Sequence, residues 1–111
     1  MKNDLLKIIN HYGIEHQQRK LNEEAFELQE AIIKHENKGP VVTSIENLNK
    51  IACSVSNKKY EMLSIKNIEE EFADVIVLLS QIKYYYELDD KRIKKIMDEK
   101  IARQLERMKN E

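Results

Sequence analysis

An all-α domain is what this chain predicts, and three observations carry that expectation. Two glycines and one proline in 111 residues fall far below the roughly 13 that average usage would supply, so the many tight turns of a sandwich or barrel cannot be built. Charged residues make up 35 % of the chain and are rich in Glu and Lys, which suits helices with wet outer faces. Apolar residues then recur at helical spacing in several separate stretches. The length fits one domain spanning residues 1–111, folded as an antiparallel bundle of about four to five helices.

Each element has its own signal. Asp4 can cap a short first helix, Leu5 to Tyr12, and Gly13 sits where a left-handed residue ends a helix. A second helix is expected from Ile14 to Glu36, broken by Asn37-Lys38-Gly39-Pro40. Thr43-Ser44-Ile45-Glu46 reads as a capping box opening a third helix that fades near Ser56-Asn57. Asn67 with Glu70 repeats the capping pattern, so the next helix is expected to begin there or near Ser64 and to continue to Glu87. Asp89 and Asp90 favour the start of a last helix reaching toward Lys109, since acids complement a helix N-terminus.

Charge and composition exclude several classes. Lys plus Arg is 19 and Asp plus Glu is 20, a net charge of −1, which argues against a protein held to nucleic acid or an anionic membrane by bulk charge. No apolar run approaches the ~20 residues of a membrane span, and MKNDLLKIIN lacks the apolar core of a signal peptide. The expectation is a cytoplasmic protein with neither nucleic acid nor membrane as partner. The single cysteine, Cys53, can form neither an internal disulfide nor a thiolate zinc site alone; its apolar neighbours point to a buried, inert thiol. A helical chain this short buries a modest core and often gains stability by oligomerising.

The residues that carry chemistry are carboxylates in the wrong place. Projected at ~100° per residue, the second helix puts Leu21, Ala25, Leu28 and Ile32 on one apolar stripe, with Glu24 at its edge and Glu27 one step further out. In the fourth helix Ile68, Val75, Leu78, Leu79 and Ile82 form the buried face; Glu71 projects into its middle and Asp74 lies beside Leu78. Each pair is spaced i, i+3, so its two acids point the same way. Glu23, Glu30, Glu69 and Glu70 project away as solvated charge. Carboxylates gathered at an apolar seam repel one another or pick up protons unless paired or bound to a cation. One resolution is structural, with each acid paired to an inward Lys or Arg. The other is a cation, and all-oxygen carboxylate ligation is what Mg²⁺ or Mn²⁺ selects. A di-iron site is disfavoured, because none of His11, His16 and His35 follows a Glu at i−3; each reads as a surface or boundary residue.

The last helix adds the opposite charge. Its apolar stripe is Ile93, Met97, Ile101 and Met108, with Ile96 alongside; Lys100 projects close to it and Arg103 and Arg107 lie on the neighbouring edge. They are either snorkelling cations or a clamp for a polyphosphate whose other side is neutralised by the metal.

With Lys20-Leu21-Asn22-Glu23-Glu24-Ala25-Phe26-Glu27-Leu28 and, later, Glu71-Phe72-Ala73-Asp74-Val75 in view, the chain resembles the MazG-like all-α nucleoside triphosphate pyrophosphohydrolases. Their signature is Glu-Glu-x-x-Glu on one helix and Glu-x-x-Asp on a following one. Gln17 resembles the lead-in to the first motif, and Lys100 and Arg103 the basic residues of the terminal helix. The likeness covers residues 13–107, with a longer separation of Glu27 from Glu71 than is usual in the family, read as an inserted helical segment over residues 41–65.

The resemblance implies Mg²⁺-dependent hydrolysis of (deoxy)nucleoside triphosphates between the α and β phosphorus atoms, giving nucleoside monophosphate and pyrophosphate. Glu24, Glu27, Glu71 and Asp74 would hold Mg²⁺, with Mn²⁺ an acceptable substitute, and would form the catalytic set. Lys20, Lys100 and Arg103 would contact substrate phosphates, with Arg107 a further candidate. A homodimer or homotetramer is implied as well. The substrate stays open among several NTPs or dNTPs in nucleotide-pool house-cleaning, dUTP or dCTP alone, and phosphoribosyl-ATP. Tyr84, Tyr85 and Tyr86 are either base-stacking residues or core and interface residues. The competing hypothesis is a non-catalytic helical interaction or regulatory module in which the acids are structural.

Overall fold

A computed structural model describes residues 1–37 and 54–111. Among those residues the regular structure is entirely helical: α1 (Lys2–Tyr12), α2 (Ile14–Glu36), α3 (Ser54–Tyr85) and α4 (Asp90–Lys109). The Gly39-Pro40 break, the capping box at Thr43–Glu46 and Cys53 lie outside the described residues. None of the described helices is long and apolar enough to cross a membrane.

α1 starts earlier than expected. Asp4 lies in its first turn, not at its cap, and the N–H of Leu5 bonds to the Met1 carbonyl at 3.1 Å. Leu5 and Ile9 are its buried residues. Gly13 closes α1 and opens α2 alone: its N–H donates to the Ile9 carbonyl at 2.8 Å, and its own carbonyl accepts from the Gln17 N–H at 3.1 Å. It does so at φ 91°, ψ 152°, a region open essentially to glycine only.

α3 departs most from expectation. It is one helix of 32 residues, so Ser56-Asn57 is not the end of a preceding helix and the Asn67/Glu70 capping pattern lies inside it. No glycine or proline occurs between residues 54 and 85, and such a pattern in a Glu-rich helix stops nothing without a breaker. α3 ends where Glu87 takes a positive φ of 53°. There the N–H groups of Leu88 and Glu87 reach back to the carbonyls of Lys83 and Tyr84 at 2.9 and 3.3 Å, the paired bonds of a Schellman ending.

α2 and α3 run antiparallel and pack along one another, with α1 against both. The inward residues of α2 are Gln17, Leu21, Glu24, Leu28, Ala31 and His35; those of α3 are the buried Gln81 and the series Ser64, Ile68, Glu71, Val75, Leu78 and Ile82. The α2 set and the α3 series alternate steps of four and three, the spacing of helices packed side by side. The expected stripes are corrected at their edges: Ala25 is exposed, Ile32 is 43 % exposed and Leu79 45 % exposed. A seam repeating every seven residues drifts ~20° per heptad from a straight projection, which turns Ala31 inward and Ile32 out.

α4 begins as expected, with the Asp89 carboxylate accepting from the Arg92 N–H at 3.0 Å. Lys83 Nζ meets Asp90 at 3.1 Å across the junction, and that hydrogen bond holds the Lys83 ammonium above its ordinary pKa. Beyond this ion pair, α4 packs on no other described helix. Its apolar stripe is exposed apart from a half-buried Ile93. The described chain is thus a three-helix assembly carrying a fourth helix to one side.

A Cβ added at Gly13 would meet nothing within 4 Å, so any penalty there is a backbone one. Gly13→Ala is expected to lower stability by about 1–3 kcal/mol in equilibrium denaturation; an unchanged midpoint would show that the corner needs no glycine.

Candidate metal centre

Three polar layers cross the α2–α3 seam. At one end Gln17 Nε2 donates to Gln81 Oε1 at 2.8 Å. At the other, His35 Nδ1 and Ser64 Oγ lie 2.8 Å apart. Between them stand Glu24 and Glu71, which have no such neutral partner. Glu24 Oε2 and Glu71 Oε2 are both buried with no hydrogen-bond partner, an arrangement that folding ordinarily avoids. Asp74, one turn beyond Glu71 and exposed, completes a group in which each residue offers an oxygen within 4.8 Å of the others.

The electrostatics follow from that placement. Burial pushes the Glu24 carboxyl above its ordinary 4.5; Glu27 and Asp74 add to the rise and Lys20 opposes it. Burial also raises Glu71 from 4.5; the charge and hydrogen bond of Glu27 and the charge of Asp74 add to the rise, and a hydrogen bond to Glu24 opposes it. Structural pairing with inward cations is met only in part. Lys20 Nζ stands 3.8 Å from Glu24 Oε1, and no ion pair to Glu71 occurs among the described residues. A cation held by the three acids would satisfy both orphaned oxygens and reverse the repulsion.

The structure gathers some of the predicted residues and separates others. Glu24, Glu71 and Asp74 meet. Glu27 is exposed and outside that group, yet close enough to raise both glutamates. Lys20 lies beside Glu24 and lines the adjoining cavity. Lys100, Arg103 and Arg107 share a shallow surface of α4, a helix that does not pack on the one bearing the acids; within one chain they form no phosphate clamp with them.

The adjoining cavity, of about 300 Å³, opens between α1, α2 and α3 and is lined by Glu24 and Asp74 at the acidic end. Its other walls include Ile8, Tyr12, His16, Gln17 and Gln81. The rings of Tyr12 and His16 stack at 5.2 Å between centroids and 18° between planes. Tyr84, Tyr85 and Tyr86 are not among its walls. Tyr84 instead has Lys2 and Lys83 over its ring, 5.6 and 4.8 Å from the centroid. Tyr12, His16 and Gln81 were not legible as site residues, since the corner at Gly13 brings the first two over the cavity and no spacing reveals that. Gln81 does sit one turn past Leu78 on the seam, the available clue to its burial.

Comparison with known proteins finds no match: no family model, no curated protein and no solved structure is significantly similar to the chain.

Both glutamates hold their protons more tightly in the fold than at their ordinary 4.5, so the metal-free protein should lose stability as pH rises from there through the raised values. Glu71→Gln removes one ionising group from the seam. In EDTA its melting temperature should match the parent's at acid pH and exceed it increasingly across that window. A difference that stays flat with pH would show that the seam carboxylates are not strained.

Proposed function

We propose that this chain is a Mg²⁺-dependent nucleoside triphosphate pyrophosphohydrolase of the MazG-like kind, acting on (deoxy)nucleoside triphosphates. One observation carries the proposal: two buried carboxylate oxygens without partners, on Glu24 and Glu71, grouped with Asp74 beside a cavity that Glu24 and Asp74 line. An all-carboxylate donor set suits a hard cation such as Mg²⁺. Glu24, Glu71 and Asp74 would hold such an ion, which would supply charge neutralisation to a polyphosphate and a Lewis acid for activating water. The reaction consumes one water; its oxygen joins one of the two phosphorus atoms of the α–β bridge, and the bridging oxygen leaves with the other. Phosphoryl transfer needs mainly positioning and charge compensation, so no side-chain nucleophile is required. Among the described residues, Lys20 is the cation placed to contact phosphate beside Glu24. Glu27, exposed and next to Glu24 and Glu71 but outside the three ligands, is the carboxylate assigned to take the proton of the attacking water.

The α4 cations enter through a second copy. Four apolar residues are buried among the described ones, Leu5, Ile9, Ala31 and Leu78, while Phe26, Phe72 and the stripe Ile96, Met97, Ile101 and Leu105 lie open. Described helices with so small a core and so much exposed apolar surface gain stability by pairing with a second copy. A homodimer or homotetramer covers that stripe and carries Lys100 and Arg103 to a neighbour's acids. The protein is therefore expected to elute as an oligomer in light scattering. Two inactive variants, Glu71→Gln and Arg103→Ala, should regain turnover when unfolded and refolded together. No recovery would place the α4 cations outside the site.

A nucleotide panel with and without Mg²⁺, resolving pyrophosphate from orthophosphate, tests the activity itself. Pyrophosphate and monophosphate should form only with metal, and Glu71→Gln or Asp74→Asn should slow turnover at least about a hundredfold with the fold retained. Orthophosphate with diphosphate would identify a different bond. No turnover with Mg²⁺ or Mn²⁺ would favour a non-catalytic helical module with structural acids.

A further inference from the structure

The cavity beside the acids has a floor that no metal or phosphate explains. Gln17 is 3 % and Gln81 2 % exposed, and both face the cavity while bonded to each other at 2.8 Å. The other end of the Gln17 amide is also engaged: its Oε1 lies 2.8 Å from His16 Nδ1. His16, Gln17 and Gln81 thus form one chain of hydrogen bonds ending at the Gln81 amide. Every member of that chain can reverse. An amide exchanges its oxygen and nitrogen by a half-turn, and a neutral imidazole carries its proton on either nitrogen. With Nδ1 protonated, His16 donates to Gln17, Gln17 donates to Gln81, and the far end of Gln81 is an N–H donor. With Nδ1 bare, Gln81 donates to Gln17, Gln17 donates to His16, and the far end of Gln81 is a carbonyl acceptor. Both polarities use the same heavy-atom positions and leave each bond in the chain intact.

We infer that this cavity seats the base of the nucleotide and that the reversible chain of His16, Gln17 and Gln81 lets it accept keto and amino bases alike. This deepens the proposed function and rests on it for the class of ligand. The stacked rings of Tyr12 and His16 supply an aromatic wall that every base can use. The donor state of Gln81 meets a ring carbonyl such as that of uracil; the acceptor state meets an exocyclic amino group such as that of cytosine. A fixed donor or acceptor would discriminate between those two, because the wrong partner leaves a buried polar group unpaired. A chain that reverses does not.

The test is equilibrium binding of uridine and cytidine 5′-monophosphates in EDTA, read by ligand-observed NMR, so that neither metal nor turnover enters. The wild-type protein should bind the two with similar affinity. Gln17→Glu, studied at a pH high enough to ionise it, makes position 17 an acceptor only, forces Gln81 to donate to it, and leaves the Gln81 carbonyl facing the ligand. Uridine monophosphate should then weaken roughly tenfold relative to cytidine monophosphate. Tyr12→Ala, at an exposed position that folding tolerates, should weaken both by roughly tenfold through lost stacking. A wild-type preference of tenfold or more for either nucleotide overturns the inference, as does an unchanged ratio in folded Gln17→Glu. Binding of neither monophosphate while Mg²⁺-dependent hydrolysis persists overturns the inference and leaves the activity standing. Binding of both without any hydrolysis does the reverse.

Discussion

Two carboxylates facing one another across a helix seam are the constraint around which this structure is arranged. Glu24 and Glu71 occupy inward positions that would otherwise hold Leu or Ile, and each leaves an oxygen buried and unpartnered. Ionised together and without a cation, they repel at the centre of the α2–α3 contact. The seam tolerates this because it is pinned on both sides. The Gln17–Gln81 and His35–Ser64 bonds lie toward opposite ends of the contact, and a slip of one turn would break both. Polar pairs at such positions specify alignment at some expense in stability. Here the register they specify is the one that sets the acids face to face.

The same economy explains where the apolar surface went. A seam that gives inward positions to Gln17, Glu24 and His35 on one helix and Ser64 and Glu71 on the other has few left for Leu and Ile. Ile9 of α1 is fully buried and Leu5 of α1 and Leu78 of α3 nearly so, so apart from Ala31 of α2 the described core gathers where α1 meets α3, beside the cavity. That location depends on Gly13, whose conformation turns α1 back with no intervening loop. The corner has a second consequence: Tyr12 and His16, on either side of it, come into ring contact. One glycine therefore closes the core and forms the aromatic wall.

Much of this was legible before any coordinates. The scarcity of Gly and Pro pointed to helices, and the boundaries of α2 and the start of α4 followed from Gly13, Asn37 and Asp89. The inward phase of Glu24 and Glu71 was readable because charged residues interrupted an otherwise periodic apolar pattern. The illegible parts have identifiable physical origins. Asn67 and Glu70 mimic a cap, but a capping pair without a breaker does not end a helix, so α3 runs on through it. Ala25, Ile32 and Leu79 were placed inside by a straight projection, whereas paired helices present a seven-residue repeat. Amphipathicity of α4 is plain in its sequence, but periodicity marks only which face is apolar and not what covers it. The cavity was invisible for a related reason: its walls come from three helices, and its polar floor joins residues 64 positions apart.

Both motifs divide their two acids in the same way, the first turned inward and the second left in solvent. Glu24 and Glu71 face inward, whereas Glu27 and Asp74, three residues further along their helices, are exposed. Inward acids are desolvated, so their charge acts at close range and gains most from a cation. Exposed acids exchange partners with solvent at little penalty. A site with four inward carboxylates would strain the seam beyond what its small core can offset; a site with four exposed ones would hold a cation loosely. Placing Asp74 within 4.8 Å of the buried pair and keeping Glu27 just outside it combines the two conditions. Strain is confined to one facing pair, and two further acids beside it remain exposed to solvent.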